Sequence, residues 1–224
     1  NNVAVGRGAS SGITTGSDNV SIGNSAGAFT TTGIKNTAVG SGALIFNTIG
    51  DQNTATGYSA LYANTEGGYN TAVGFEALKS NTTGTYGCAF GHLALRSNLT
   101  GLSNIAIGER ALYTNTAGHW NVGIGWEALK LSTTSFNIGI GYQAGDAVTT
   151  GAENVLIGKS AGVLMDTGES NVCIGKEAGD NITSGSFNIV IGENATASSA
   201  TVSNELTLGD TGINSLRIPG LQSG

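Results

Sequence analysis

The sequence predicts an all-β protein, a parallel β-solenoid (β-roll or β-helix) of about thirteen 17-residue coils. Three observations lead to this fold class. A glycine returns at a fixed spacing, a short alternating segment precedes every copy of it, and the third residue after it is alanine in twelve consecutive copies. A fixed period of this kind is typical of proteins in which each repeat stacks on the next.

The repeat unit is clearest at residues 70–74, Asn-Thr-Ala-Val-Gly. We number positions in each coil from its glycine, which is position 0, and we number the coils from 1 to 13. Every step from one glycine to the next is a 17-residue step, except for one 16-residue step between Gly125 and Gly141. We expect that shorter step to remove one turn residue near 132–135 and to leave the strands in register. The reference glycines are Gly6, Gly23, Gly40, Gly57, Gly74, Gly91, Gly108, Gly125, Gly141, Gly158, Gly175, Gly192 and Gly209.

Positions −3 to −1 alternate between large and small residues, as in Thr71, Ala72 and Val73. This alternation, rich in β-branched residues, predicts one short strand per coil. Side chains at −3 and −1 share one face of the strand, and position −2 shares the other face with the glycine. We expect the small face to let another backbone approach closely, including that of a neighbouring chain.

The constant alanine at position +3 predicts a tight, buried corner. Position +4 is leucine in six consecutive coils, and we expect this column to be buried inside the coil or between chains. Its members are Leu44, Leu61, Leu78, Leu95, Leu112 and Leu129. Four other coils have glycine at +4, and there we expect a later apolar residue to fill the core. These residues are Phe29, Val148, Leu164 and Ile182.

Asparagine stands at position +7 in five of the six leucine coils. Stacked side-chain amides of this kind are expected to hydrogen-bond from coil to coil. The column consists of Asn47, Asn64, Asn81, Asn98 and Asn115.

Composition limits the possible partners. The chain has 224 residues, 37 glycines, one proline and a net charge of −6. Nucleic acid and anionic membranes both require a basic face, so neither is expected as a partner. No run of 18 apolar residues exists, so no membrane insertion is expected. The first residue lies partway through a repeat, and we therefore expect the chain to be a fragment.

Catalytic and metal sites are not predicted. Cys88 and Cys173 lie five coils apart, about 24 Å in a solenoid, too far for a disulfide, and both are expected to be small core residues. His92 and His119 have no metal-ligand spacing, so no metal or other cofactor is expected.

The chain is expected to be non-enzymatic. The pattern Gly-x-Ser-x-Gly occurs at 8–12, 23–27 and 158–162. All three copies lie within the repeat and do not form the strand-to-helix elbow that carries a nucleophilic serine. Glu109 and Glu127, in neighbouring coils, are the nearest approach to a carboxylate pair for glycoside hydrolysis. Their positions, +1 and +2, point to opposite faces and do not form such a pair.

Aromatic residues at positions +1 and −5 are the candidate ligand-binding residues. Both positions lie on the face that carries −3 and −1. Partly exposed rings can bind sugars, because the C–H face of a sugar packs on an aromatic face. The alternative is that the rings only widen the apolar face or a contact between chains. The candidate residues are Tyr58, Tyr69, Phe75, Tyr86, Trp120, Trp126 and Tyr142.

Two stretches carry a resemblance to known fibres. Asn-Val-Ala-Val-Gly-x-x-Ala (2–9) and Asn-Ile-Ala-Ile-Gly-x-x-Ala (104–111) resemble the head repeats of trimeric autotransporter adhesins. The fuller pattern, which ends in Asn-Thr-Thr-Gly (81–84), is similar to bacteriophage tail fibres and related bacterial surface fibres. The resemblance implies a left-handed roll, a homotrimer, and a place in a virion tail fibre or on the bacterial cell surface.

The C-terminal part is similar to the join that precedes a self-cleaving intramolecular chaperone in such fibres. We therefore divide the chain into a repeat solenoid (1–197) and a terminal coil with a tip or capping segment (198–224). We expect Pro219 to end regular strand pairing.

Three functions remain open at this point. The first is an attachment fibre that recognises a host surface glycan or protein. The second is a structural shaft whose receptor site lies elsewhere. The third is ice binding, suggested by a threonine column at position +8, although Leu99 and Asp166 interrupt it. The column contains Thr14, Thr31, Thr48, Thr65, Thr82 and Thr116.

Overall fold

The computed structural model describes residues 1–213, and its regular elements are thirteen β-strands of three residues each, with no helix in this range. The predicted all-β parallel solenoid is confirmed. In chain order, β1 to β13 are Val3–Val5, Val20–Ile22, Thr37–Val39, Thr54–Thr56, Thr71–Val73, Cys88–Phe90, Ile105–Ile107, Val122–Ile124, Ile138–Ile140, Val155–Ile157, Val172–Ile174, Ile189–Ile191 and Leu206–Leu208.

All thirteen strands form one sheet, in which each strand pairs in parallel with the strands of the coils before and after it. The repeat positions stay aligned: Thr71 pairs with Cys88, and Val73 with Phe90. Each coil therefore adds one strand to the stack. At about 4.8 Å per strand, the rod is about 60 Å long.

The 16-residue step leaves the register intact, as predicted. Val122 pairs with Ile138, and Ile124 with Ile140. The carbonyl of Thr134 accepts a 2.6 Å hydrogen bond from Asn121 Nδ2, a role that the glycine at position +10 has in neighbouring coils. The missing residue therefore lies in the turn around 132–135.

The core is a narrow column inside the roll. The six leucines of the +4 column are at most 1 % exposed, and the alanines at −2 and +3 that surround them in coils 3 to 7 are also buried. The expectation that the small face invites a neighbouring chain is wrong. The roll is thin, so its inward strand wall has room only for alanine or glycine beside each leucine.

Volumes at −2 and +4 compensate each other. Where position +4 is Gly162, the residue at −2 is the larger Leu156, whose Cδ2 lies 2.8 Å from the place a Cβ on Gly162 would take. Where position −2 is Gly139, the leucine of the preceding coil, Leu129, takes that space. The interior volume is thus fixed, and side chains at −2, on the strand side, and at +4, on the opposite side, fill it together.

The glycine coils also fill the core from position +7. Val148, Met165 and Ile182 are fully buried there. Phe29 and Leu164, at position +6, are more than half exposed instead, so the prediction that they belong to the core is wrong. In coils 9 to 11, positions +5 and +6 are partly or fully exposed, and +7 faces the core.

Two buried asparagine columns join the coils. At +7, Asn81 Nδ2 donates to Asn64 Oδ1 at 2.7 Å and to the Gly84 carbonyl at 2.9 Å, which confirms the predicted ladder. At −4, Asn70 Nδ2 donates to the same Gly84 carbonyl at 2.8 Å. The side chains bond to the turn that separates the two columns, so they fix the turn as well as the stack.

The reference glycine is required by both backbone angle and space. Gly74 has a φ of +139°, and a Cβ on it would lie 2.7 Å from the carbonyl carbon of Gly91 in the next coil. No other residue type fits there without moving the adjacent coil.

The last strand continues the sheet, since Leu206–Leu208 pairs with Ile189–Ile191. The expected tip, including Pro219, lies outside the described residues.

Candidate interaction surface

The outward side of the sheet is an exposed apolar surface. Side chains at positions −5, −3, −1 and +1 point away from the core, and we call this surface the outer face. Its two central columns, −3 and −1, hold Val, Ile, Leu, Phe, Cys or Thr in all coils. Exposure reaches 40 % at Ile107 and 62 % at Leu206. The β-branched residues of the strands thus lie outside the core.

Aromatic columns border the outer face on both sides. The −5 column contains Tyr69, Tyr86 and Trp120, and the +1 column contains Tyr58, Phe75, Trp126 and Tyr142. Six of these rings are 44 to 59 % exposed, and Trp126 is partly buried. The structure thus places all seven predicted residues on one surface, along its two margins.

The rings in each column stack along the rod. Ring centroids are 5.1 Å apart for Tyr69 and Tyr86, and 4.8 Å apart for Trp126 and Tyr142. Their planes are nearly parallel, at 15° and 16°. The strand spacing permits this stacking, which covers ring faces and leaves ring edges toward solvent. A sugar therefore finds a free aromatic face only at the end of a stack.

The −5 rings stand on strained backbone. The backbone angle φ is positive at all five, from +54° at Trp120 to +65° at Phe136. The five residues are Tyr69, Tyr86, Trp120, Phe136 and Phe187. For a residue with a side chain this left-handed conformation costs roughly 1–2 kcal/mol. The −5 residues without rings have the same backbone angle, as in Lys35 at +59° and Glu153 at +60°. The conformation therefore belongs to the turn of the repeat and does not single out the rings.

One stack ends at a shallow cleft. Tyr58 stacks on Phe75 at 5.3 Å, and its other side faces coil 3, where position +1 is the small Ser41. The open side of the ring borders a cleft of about 250 Å³, which we call the Tyr58 cleft. The sequence predicted Tyr58 but not the cleft, although small residues at +1 and +2 in coils 2 and 3 signal it. Its walls include Arg7, Asn24, Ser41, Tyr58, Ser59 and Tyr62.

A charged stripe at positions +2 and +5 runs beside the +1 column. Glu76 accepts hydrogen bonds from Lys79 Nζ at 2.6 Å and from Arg96 Nε at 2.7 Å. Burial alone would raise the pKa of Glu76, but these two cations outweigh it and hold the pKa below its ordinary value. This group is a structural clamp between coils 5 and 6.

A second charged group contains one unsatisfied atom. The nearly buried Glu127 pairs with Arg110 at 3.3 Å and with Lys130 at 3.2 Å. Asp146 Oδ1 is buried without a hydrogen bond, 3.8 Å from Lys130 Nζ. Burial raises the pKa of Asp146, and the nearby Lys130 opposes this rise only in part.

The other reactive residues are dispersed. Glu109 pairs with His92 at 3.5 Å, while Glu127 is held in the separate group above. His119 Nδ1 accepts a hydrogen bond from the Leu102 amide at 3.0 Å. Among residues 1–213, no group of three or more His, Cys, Asp or Glu side chains is placed to hold a metal ion.

Both cysteines are free thiols, as expected from their distance along the rod. Cys173 is fully buried at position −2, and burial raises its pKa to about 12. Cys88 lies at −3 on the outer face and is only partly buried, so its prediction as a core residue is wrong.

Within the described part of the chain, no helix is long and apolar enough to cross a membrane. No family model matches the chain, and neither a curated protein nor a solved structure matches it.

Proposed function

We propose that this chain is the solenoid segment of a non-enzymatic, homotrimeric attachment fibre, either a phage tail fibre or a bacterial surface adhesin, that recognises a host surface glycan or protein. The observation that carries this proposal is the outer face, a largely apolar surface that runs along the rod and has threonine at both central positions only in coil 4. An apolar surface of this extent marks a site of protein association.

The size of the outer face suits a stable contact. It is about 60 Å long and, across the seven positions from −5 to +1, about 20 Å wide. Its planar area is therefore about 1,200 Å² per chain, compared with roughly 800 Å² per partner in a typical specific interface.

Three copies fit this width. Three faces about 20 Å wide form a triangular prism in which each sheet lies about 6 Å from the axis. This is close to half of the spacing of about 10 Å at which sheets pack face to face. Four copies would leave a central channel about 10 Å in radius, lined by Val and Ile. The resemblance to trimeric fibres also supports three, and left-handed coiling is a further expectation from that resemblance.

Recognition of a receptor is proposed for the Tyr58 cleft, whose wall at positions +2 and +5, including Ser59 and Tyr62, lies outside the outer face and stays accessible in the trimer. The free face of Tyr58 provides a stacking surface, and Asn24, Ser41 and Ser59 provide hydrogen-bonding groups beside it. An apolar ring next to several polar groups is a suitable lining for a sugar unit. The alternative is a pure shaft, whose receptor site lies in another segment.

The association is tested by sedimentation velocity on the Ile107→Lys variant. Lysine at the centre of the outer face should convert the trimer into monomers, because three charges would meet near the axis. The control is Leu164→Lys, which places the same charge on an exposed position away from the outer face and should leave the trimer intact. A trimer that survives Ile107→Lys would refute association through this face.

The recognition is tested on a glycan array and on host-type cell surfaces. Tyr62→Ala should abolish binding, because Tyr62 forms one wall of the cleft. The matched control, Tyr113→Ala, changes the same repeat position three coils away and should bind normally. If the wild-type trimer binds neither glycans nor cells, the shaft alternative replaces the attachment function.

Ice binding is the least supported alternative. Hydroxyls of the threonine column donate to carbonyls of the next coil: Thr31 Oγ1 to Thr48 and Thr48 Oγ1 to Thr65, at 3.0 and 2.9 Å. Their donor groups are therefore already used within the stack. An assay without thermal hysteresis would exclude this function.

A further inference from the structure

The two margins of the outer face match each other coil by coil, although they do not touch within one chain. Positions −5 and +1 lie at opposite ends of one strand and its flanks, which separates them by up to about 20 Å. Intrachain contact therefore does not explain the match.

The aromatic residues show the match most clearly. Five coils have an aromatic residue at −5, and four of them also have a ring at +1. Two coils have a ring at only one of the two positions: coil 12, with Phe187 and Glu193, and coil 4, with Gln52 and Tyr58. Coil 7 has no ring in either column, since it has Ser103 at −5 and Glu109 at +1. The matched pairs are Tyr69 with Phe75, Tyr86 with His92, Trp120 with Trp126, and Phe136 with Tyr142.

The charges do not oppose this match. Coil 10 has Glu153 at −5 and Lys159 at +1, and coil 11 has Ser170 beside Lys176. From coil 2 to coil 13, no coil carries like charges at both positions. Opposite charges and hydrogen-bonding pairs at the same level favour contact, whereas like charges would oppose it.

The in-register alignment gives four ring pairs, more than either shift by one coil. Shifting one column by one coil in one direction leaves three ring pairs and places Trp120 opposite Glu109. The opposite shift leaves two ring pairs and places Tyr86 opposite Glu109. The charges do not distinguish the three alignments, because the first shift places Asp18 opposite Arg7 and the opposite shift places Glu153 opposite Lys176.

We propose that three copies of this chain associate in parallel and in register, with the −5 column of each chain against the +1 column of the next chain at the same coil. This inference rests on the trimer proposed above and adds the identity of the contacting edges and their register. A three-fold axis along the rod joins the left edge of one face to the right edge of the next at equal height. Stacked rings whose edges point outward can then meet rings of the adjacent chain edge to face or edge to edge.

A charge exchange at coil 10 tests the contact. Glu153→Lys should place lysine opposite Lys159 of the next chain, and Lys159→Glu should place two glutamates together. Each single variant should weaken trimer formation by about tenfold, because three contacts change at once. The double variant should restore wild-type affinity, measured by sedimentation at low salt.

Recovery of trimer affinity in the double variant distinguishes a contact between chains from local damage within one chain. Ser170 Oγ donates to Glu153 Oε2 at 3.3 Å within the chain, and a change at Lys159 cannot repair that bond from about 20 Å away. The control is Glu66→Lys, an exposed charge change outside the outer face, which should have no effect. Single variants that weaken the trimer without recovery in the double variant would refute the pairing.

Disulfide trapping provides a second readout that does not depend on affinity. In a Cys88→Ser background, Ser103→Cys with Glu109→Cys should give covalent trimers on a non-reducing gel. The mismatched pair, Ser103→Cys with Lys159→Cys, is three coils apart, about 14 Å along the rod, and should remain as single chains. If the mass shows a trimer but the matched pair gives no covalent trimer, this inference is overturned and the proposed function stands. A monomer by mass overturns both.

Discussion

Replacement of Leu95 by aspartate tests whether the leucine column holds the roll together. Leu95 is fully buried in coil 6, in the middle of the column, and its amide donates to the Ala111 carbonyl at 2.9 Å. The substitution leaves this backbone bond in place but removes the side chain that fills the space between the two walls.

The expected loss is large. Truncation of a buried leucine to alanine costs about 2–5 kcal/mol. A carboxylate at this site would have no buried cation as a partner, which adds several kcal/mol more. A domain is typically stable by about 5–15 kcal/mol. We therefore expect Leu95→Asp to abolish cooperative folding around coil 6, and Leu95→Ala to remain folded with lower stability.

Urea unfolding followed by circular dichroism measures both effects. The matched control is Leu99→Asp, because Leu99 lies in the same coil and is 43 % exposed. That change should alter the free energy of unfolding by about 0.5 kcal/mol or less. If Leu95→Asp kept the wild-type midpoint, the column would not carry the stability of the roll.

Three further predictions follow from particular residues. Gly87 interrupts the −4 asparagine column, and Gly87→Asn should raise the free energy of unfolding by about 1–2 kcal/mol by completing the ladder; a decrease would show that the site cannot accept the side chain. Burial raises the pKa of Asp146 in the folded state, so ionisation opposes folding once the pH exceeds the ordinary value of 3.8. Asp146→Asn should therefore stabilise the protein by roughly 1 kcal/mol at pH 7 and by nothing below pH 3.8, and an equal gain at both pH values would contradict this. Cys173 should not react with a thiol reagent in the folded protein, whereas Cys88 should be protected in the trimer and reactive in the Ile107→Lys monomer; equal reactivity of Cys88 in both would contradict its place in the interface.

The period alone predicted the stack and its register. The 17-residue glycine period places equivalent strands next to each other, and the shorter step before Gly141 can be absorbed only where the chain has no pairing to maintain. Local pattern and global fold agree at these positions, which is why the prediction is confirmed.

The sequence analysis did not predict which face of each strand points into the core. Large β-branched residues usually lie inside, but the interior of this roll is already filled by leucine from the opposite wall. The sequence does contain the signal, because position −2 grows to Leu156 and Val190 in coils whose position +4 is not leucine. Reading the two positions together, rather than the strand alone, identifies −2 as the inward position.

The candidate site was predicted in part for a similar reason. Periodicity placed Tyr69 and Tyr86 in one column, but only the 5.1 Å distance between their centroids shows that each covers a face of the other. Side-chain torsions decide whether rings stack or fan out, and a repeat pattern does not specify them. The Tyr58 cleft exists because the small residues Asn24 and Ser41 occupy position +1 in coils 2 and 3, where other coils have rings.

The most direct test of the central claim is the mass of the intact wild-type chain in solution, measured by native mass spectrometry over a range of concentrations. Association through the outer face predicts one dominant species with three times the chain mass of 22.3 kDa. A folded species at 22.3 kDa that persists at the highest concentrations would contradict it.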